Sequence, residues 1–206
     1  CQFRRGLAED GMDRPQKVKD ILSAFETAIL PEDFRVDLMD NAEQRRTPEQ
    51  CVVQGDFEAT MFRLALHDDI VYTRLCKAMP PGATAMIYFD KTLERTRKLL
   101  ADFDRYCATG QRPADGTNVE LNHVIDTLRR TATRIHNNII VRSPYGTGSA
   151  AEALVSILED ISSRNKDALD GTRLAGTSFA GEDEDQRNLY HQLVGREDES
   201  ETFPIL

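Results

Sequence analysis

Lys91, Arg95 and Lys98 recur at i, i+4 and i+7, so a helix over 83–108 would set all three cations on one outer face. A helix over 118–140 would set Arg130 and Arg134 one turn apart, with Asn137 beside them. If the two helices were antiparallel neighbours, these five cations would line one groove. Ammonium groups and guanidinium forks so placed grip carboxylates and phosphates, and the chemistry would be capture of an acidic or phosphorylated peptide. The plainer reading is a solvated helix face with local pairs such as Glu94–Lys98.

The C-terminal tail offers the complementary chemistry. Residues 178–206 hold eight acids against two bases, a net of −6 out of −9 for the whole chain. Leu189, Tyr190 and Leu193 lie among those acids, and Phe203, Ile205 and Leu206 follow them. Apolar anchors of this kind fill a groove while the acids steer toward a basic rim, so the tail is expected to be a docking peptide.

Other chemistry-bearing residues give weaker patterns. His67 precedes Asp68-Asp69, a conceivable metal or acid–base cluster, but the two acids are better placed to cap the following helix. Ser143 to Ser149 is glycine-bearing and precedes a helix, as anion-binding loops do, yet it lacks the lysine and spacing of a P-loop and reads as an interhelical loop. The four cysteines, Cys1, Cys51, Cys76 and Cys107, form no C-x-x-C pair, and reduced thiols are expected, with Cys76 and Cys107 on or near inner stripes. The sequence points to no catalytic residue, metal or cofactor.

Composition narrows the function classes. The net charge of −9 disfavours nucleic acid as a partner, because phosphate contacts need clustered Lys and Arg. No apolar run approaches the ~20 residues that span a bilayer, so no membrane partner is expected. Absent a signal peptide, the expected setting is intracellular, cytoplasm or nucleus. The chain begins with Cys, which suggests a piece excised from a larger protein.

The elements that must position these residues read as helices. Residues 1–14 form an arm. Pro15 opens a helix with Val18, Ile21, Leu22, Phe25 and Ile29 on one face. Phe34, Leu38, Met39 and Ala42 continue a weaker pattern. Thr47-Pro48-Glu49-Gln50, Thr117-Asn118-Val119-Glu120 and Ser149-Ala150-Ala151-Glu152 are three capping boxes. Asp56 caps a helix lined by Phe57, Met61, Leu64 and Ala65, and Ile70, Val71, Leu75 and Met79 resume after Asp68-Asp69. The longest pattern, 83–108, turns Phe89, Leu93, Thr96, Leu100, Phe103 and Cys107 inward and stops at Gly110. The next helix turns Leu121, Val124, Ile125, Leu128, Ala132, Ile135 and Ile139 inward. The last carries Leu154, Ile157, Leu158, Ile161 and Leu169 and stops at Gly171.

The expected fold is therefore all-α, an irregular bundle of roughly five to seven helices over 15–171. A flexible acidic tail over 172–206 follows, with a short helix over 185–194. The expected function is a protein–protein interaction, scaffold or regulatory domain, binding another protein or a second copy of itself. The alternative is an enzyme or small-ligand domain whose site is assembled from scattered residues.

Overall fold

A computed structural model describes residues 12–40 and 42–164. The fold is an all-α helical bundle, with seven α-helices and no strand among the described residues. They are α1 (Arg14–Ser23), α2 (Pro48–Cys51), α3 (Phe57–His67), α4 (Asp69–Ala78), α5 (Pro81–Thr109), α6 (Leu121–Val141) and α7 (Thr147–Arg164). A 3-10 turn, Val36–Met39, lies between α1 and α2. The expected tail, with its short helix over 185–194, lies outside the described residues.

Two compact units share these elements. The first takes the described residues through Lys91 together with Asn138–Ser149. The second takes Thr92–Asn137 together with the described residues from Ala150.

In the first unit, α1 packs on α3 and α4, and α2 packs on α3. Val18, Ile21, Leu22, Phe34, Leu38, Ala59, Phe62, Ala65, Tyr72 and Cys76 make the buried cluster. Local chemistry sets the helix starts. Asp13 accepts the Gln16 N–H at 2.9 Å, Asp56 the Ala59 N–H at 2.9 Å, and Asp68 the N–H groups of Ile70 and Val71 at 2.7 and 3.1 Å. Asp68 thus acts as the cap expected of it. The Thr47 box also forms, with the Thr47 N–H donating to Gln50 Oε1 at 3.0 Å.

In the second unit, Leu99, Leu100 and Phe103 of α5, Val124, Ile125, Leu128 and Ile135 of α6, and Ala150, Ala153, Ile157 and Ile161 of α7 are buried. Arg97 joins Asp160 at 2.9 Å and Arg164 joins Asp104 at 2.8 Å, so the C-terminal end of α7 is tied to α5 at two points. Gly110 ends α5 as expected, at φ 70° with its N–H on Tyr106 O at 2.8 Å.

Several expectations need correction. The helix from Pro15 does not reach Ile29. After Ser23 the backbone tightens to i→i−3 bonds, with the Phe25 N–H on Leu22 O at 3.2 Å and the Glu26 N–H on Ser23 O at 3.0 Å, and Lys91 Nζ also donates to Ser23 O, so the α-helical ladder ends there. Phe25 is consequently 68 % exposed. Phe57 and Ile70 are exposed rather than inward, because the buried phase of α3 is Ala59, Phe62 and Ala65 and that of α4 is Tyr72 and Cys76. Leu158 is only half-buried and Cys107 is exposed.

The other two boxes do not cap their helices. The last helix starts at Thr147, ahead of Ser149. Asn118 accepts the Glu120 N–H at 3.0 Å in a local turn, and α6 begins after it, at Leu121.

Candidate functional site

The five cations read from the sequence do not share one environment. Lys91 is buried, with Nζ donating to Ser23 O at 2.6 Å and Ile29 O at 3.1 Å. It is a structural tie of the first unit, not part of an outer face, and burial pushes its ammonium below the ordinary lysine value. The other four belong to the second unit. Lys98 bridges Asp102 at 3.1 Å and Asp115 at 2.5 Å, and hydrogen bonds to Asp115 first and Asp102 second hold its pKa up. Arg130 is exposed and turns back on its own helix, to Asp126 O at 3.1 Å and Thr127 Oγ at 3.2 Å. Arg95 is exposed and Arg134 half-buried. Glu94 pairs with Arg97 at 3.3 Å rather than with Lys98. The tail anchors Leu189, Tyr190, Leu193, Phe203, Ile205 and Leu206 lie outside the described residues.

The residues from Ser143 to Gly146 form a plain interhelical turn, and Thr147 to Ser149 open α7. The N–H groups of Tyr145 and Gly146 both donate to Arg142 O at 3.0 Å, so neither is turned toward an anion. A Cβ on Gly146 would come 3.0 Å from Arg142 Cβ and 3.2 Å from Phe89 Cε2, which explains glycine there. His67 has Arg46 and Arg14 nearby. Desolvation first, then these two cations, lowers its pKa, an environment that repels a further cation rather than holding one. Among the described residues no group of three or more His, Cys, Asp and Glu is placed to hold a metal ion. No helix among them is long and apolar enough to cross a membrane.

Two polar constellations in the first unit escape a linear reading. The first is buried. Arg142 grips Asp20 through both terminal nitrogens, at 2.7 and 2.5 Å, and its guanidinium lies 4.2 Å from the centre of the Tyr88 ring. Tyr88 OH donates to Glu32 Oε1 at 2.7 Å, and Asn138 Nδ2 reaches the same oxygen at 3.3 Å. This network fastens the segment after α1 to α5 and α6.

The second constellation is at the surface. Arg35 has φ 35°, a left-handed conformation that costs a non-glycine residue of order 1 kcal/mol or more. Three carboxylates compensate. Arg35 donates to Asp37 at 2.7 and 2.9 Å, to Asp56 at 2.7 and 3.0 Å, and to Glu58 at 2.9 Å. The Arg35 hydrogen bonds, followed by the Ala59 N–H, lower Asp56 to about 2, and Arg35 also lowers Asp37. Beside this hub is a cavity of about 240 Å³, lined by Arg46, Arg63, Asp40, Val53, Leu38 and Phe62 as well as hub residues. It is smaller than the ~300–1,000 Å³ usual for small-molecule sites, and its lining charges already neutralise one another in large part.

The hub has a consequence for its apolar neighbours. Val36 lies between Arg35 and Asp37, and Phe57 lies between Asp56 and Glu58. One guanidinium therefore ties together the side chains that flank both. Val36 is 63 % exposed and Phe57 75 % exposed. Val52, also exposed, precedes Val53, whose N–H is held by Thr60 Oγ at 2.8 Å. No sequence signal marks Arg35, because its three partners are spread over 2 to 23 positions along the chain. Compared with known proteins, the chain matches no family model, no curated protein and no solved structure.

Proposed function

We propose that this chain is a protein–protein interaction or scaffold domain. The reading is supported above all by the Arg35 hub, which holds two large apolar side chains, Val36 and Phe57, in solvent on one fastened piece of surface. Single exposed apolar residues are ordinary. Two that flank the same ion-pair hub form a pre-ordered contact, and pre-ordering lowers the entropy lost on binding. An intracellular setting, cytoplasm or nucleus, goes with this reading and is supported by Cys51 and Cys76, which are buried as free thiols.

The tail enters the same proposal as a docking peptide, supported by its composition alone, a net of −6 with six apolar anchors.

The test is affinity capture with the full chain, comparing wild type with the Val36→Ser/Phe57→Ser variant and identifying retained proteins by mass spectrometry. The reading expects a partner, or a second copy of the chain, retained by wild type and lost by the variant, with the circular dichroism spectrum unchanged. Identical capture by both overturns it.

A further inference from the structure

We infer that the surface around Val36 and Phe57 docks a basic amphipathic segment of a partner protein, one that carries Lys or Arg beside apolar side chains. This rests on the interaction reading above and adds the chemistry of the partner.

The sign of the charge carries the inference. Residues 31–58 hold eight acids and three bases, a net of −5, although the sequence outside the tail is far closer to neutral. The structure concentrates part of that excess where the apolar side chains are. One guanidinium, Arg35, is shared among Asp37, Asp56 and Glu58, which leaves two surplus negative charges at the hub. Asp37 is 59 % exposed, so its charge faces an incoming partner. Arg46 and Arg63, across the neighbouring cavity, offset some of this field, and Asp40 beside them adds to it. With these three counted, the hub and the cavity beside it still carry a net of −1.

A partner segment of matching chemistry would place apolar side chains on Val36 and Phe57 and its cations over the surplus carboxylates. The apolar contacts give slow dissociation and the charges speed encounter, so the two contributions separate by their response to salt. The same field disfavours other occupants. The chain's own tail carries −6, and a second copy would present the same surplus carboxylates. Both would meet like charge.

The experiment uses the full chain and three synthetic peptides of equal length, followed by fluorescence anisotropy at low and at moderate salt. One peptide has Lys and Leu at helical spacing, the second replaces Leu by Ser, and the third replaces Lys by Glu. The Lys–Leu peptide is expected to bind most tightly, with affinity falling as salt rises. Val36→Ser/Phe57→Ser should weaken it by about tenfold or more, the scale of losing central apolar contacts. Asp40→Asn, at the neighbouring cavity, leaves the hub intact and should weaken it at low salt more than at moderate salt.

Equal or tighter binding of the Glu–Leu peptide overturns the inference. So does no binding of the Lys–Leu peptide, or Lys–Leu binding that neither variant changes. If capture of a partner still depends on Val36 and Phe57 while the Lys–Leu peptide fails to bind, the basic partner is wrong and the interaction reading stands. If capture is independent of both residues, the interaction reading itself falls.

Discussion

Asp20 and Arg142, 122 positions apart in the chain, form a two-pronged ion pair in the first unit in which each side chain is only 4 % exposed. A guanidinium and a carboxylate out of water are costly apart and tolerable together, so this pair commits α1 and the end of α6 to one arrangement. Arg142 also carries its Nε buried with no partner, so the network is satisfied on two of its three nitrogen positions.

Arg142→Met should therefore destabilise the fold by about 3–5 kcal/mol, because it leaves Asp20 buried without its ion-pair partner. Asp20→Leu combined with Arg142→Met should recover most of that loss. Urea unfolding of the two variants against wild type checks the difference. A double variant no more stable than the single one would mean that the pair does more than neutralise itself.

Gly146→Ala should cost about 1–3 kcal/mol, since the added Cβ meets Arg142 and Phe89 at distances that require both to give way. Gly148, whose Cβ would meet nothing within 4 Å, is the control. Thermal unfolding of Gly146→Ala and Gly148→Ala should separate them clearly.

Leu128→Ala and Ile157→Ala should each cost about 2–5 kcal/mol, as both side chains are 2 % exposed. Leu158→Ala should cost less than Ile157→Ala, because Leu158 is only half-buried. Equal losses at 157 and 158 would put the buried face of α7 in the wrong phase.

Acid should loosen the Arg35 hub in a defined window. Asp56 titrates at about 2 in the fold against an ordinary 3.8, so its contribution is whole above the ordinary value and disappears as pH falls through the folded one. Asp37, also lowered chiefly by Arg35, acts in the same direction. Between about pH 4 and 2 the melting temperature of wild type should fall more steeply than that of Arg35→Met, which has no hub left to lose. Parallel curves would show that the hub contributes little.

The sequence alone determined the helical class, most helix starts and much of the core. Those features depend on neighbours within a few positions: Asp56 and Asp68 cap the helices that follow them, Gly110 ends α5, and Leu100, Phe103, Val124, Leu128 and Ile135 keep one face at helical spacing. Periodicity marks a stripe, but which side chains in it are covered depends on the element packed against it. Phe57, Ile70, Leu158 and Cys107 were thus open to the wrong assignment, and Phe25 lost its helical place because the backbone at the end of α1 tightens to i→i−3 bonds, with the Phe25 N–H on Leu22 O and the Glu26 N–H on Ser23 O. The same limit applies to charge. Lys91 has the spacing of a surface cation, yet tertiary structure buries it on two carbonyls from another segment. Asp20–Arg142 and the Arg35 hub were decided only by the fold, because electrostatic and hydrogen-bond partners are chosen by distance in space, and separations of 122 and 23 positions leave no local pattern to read.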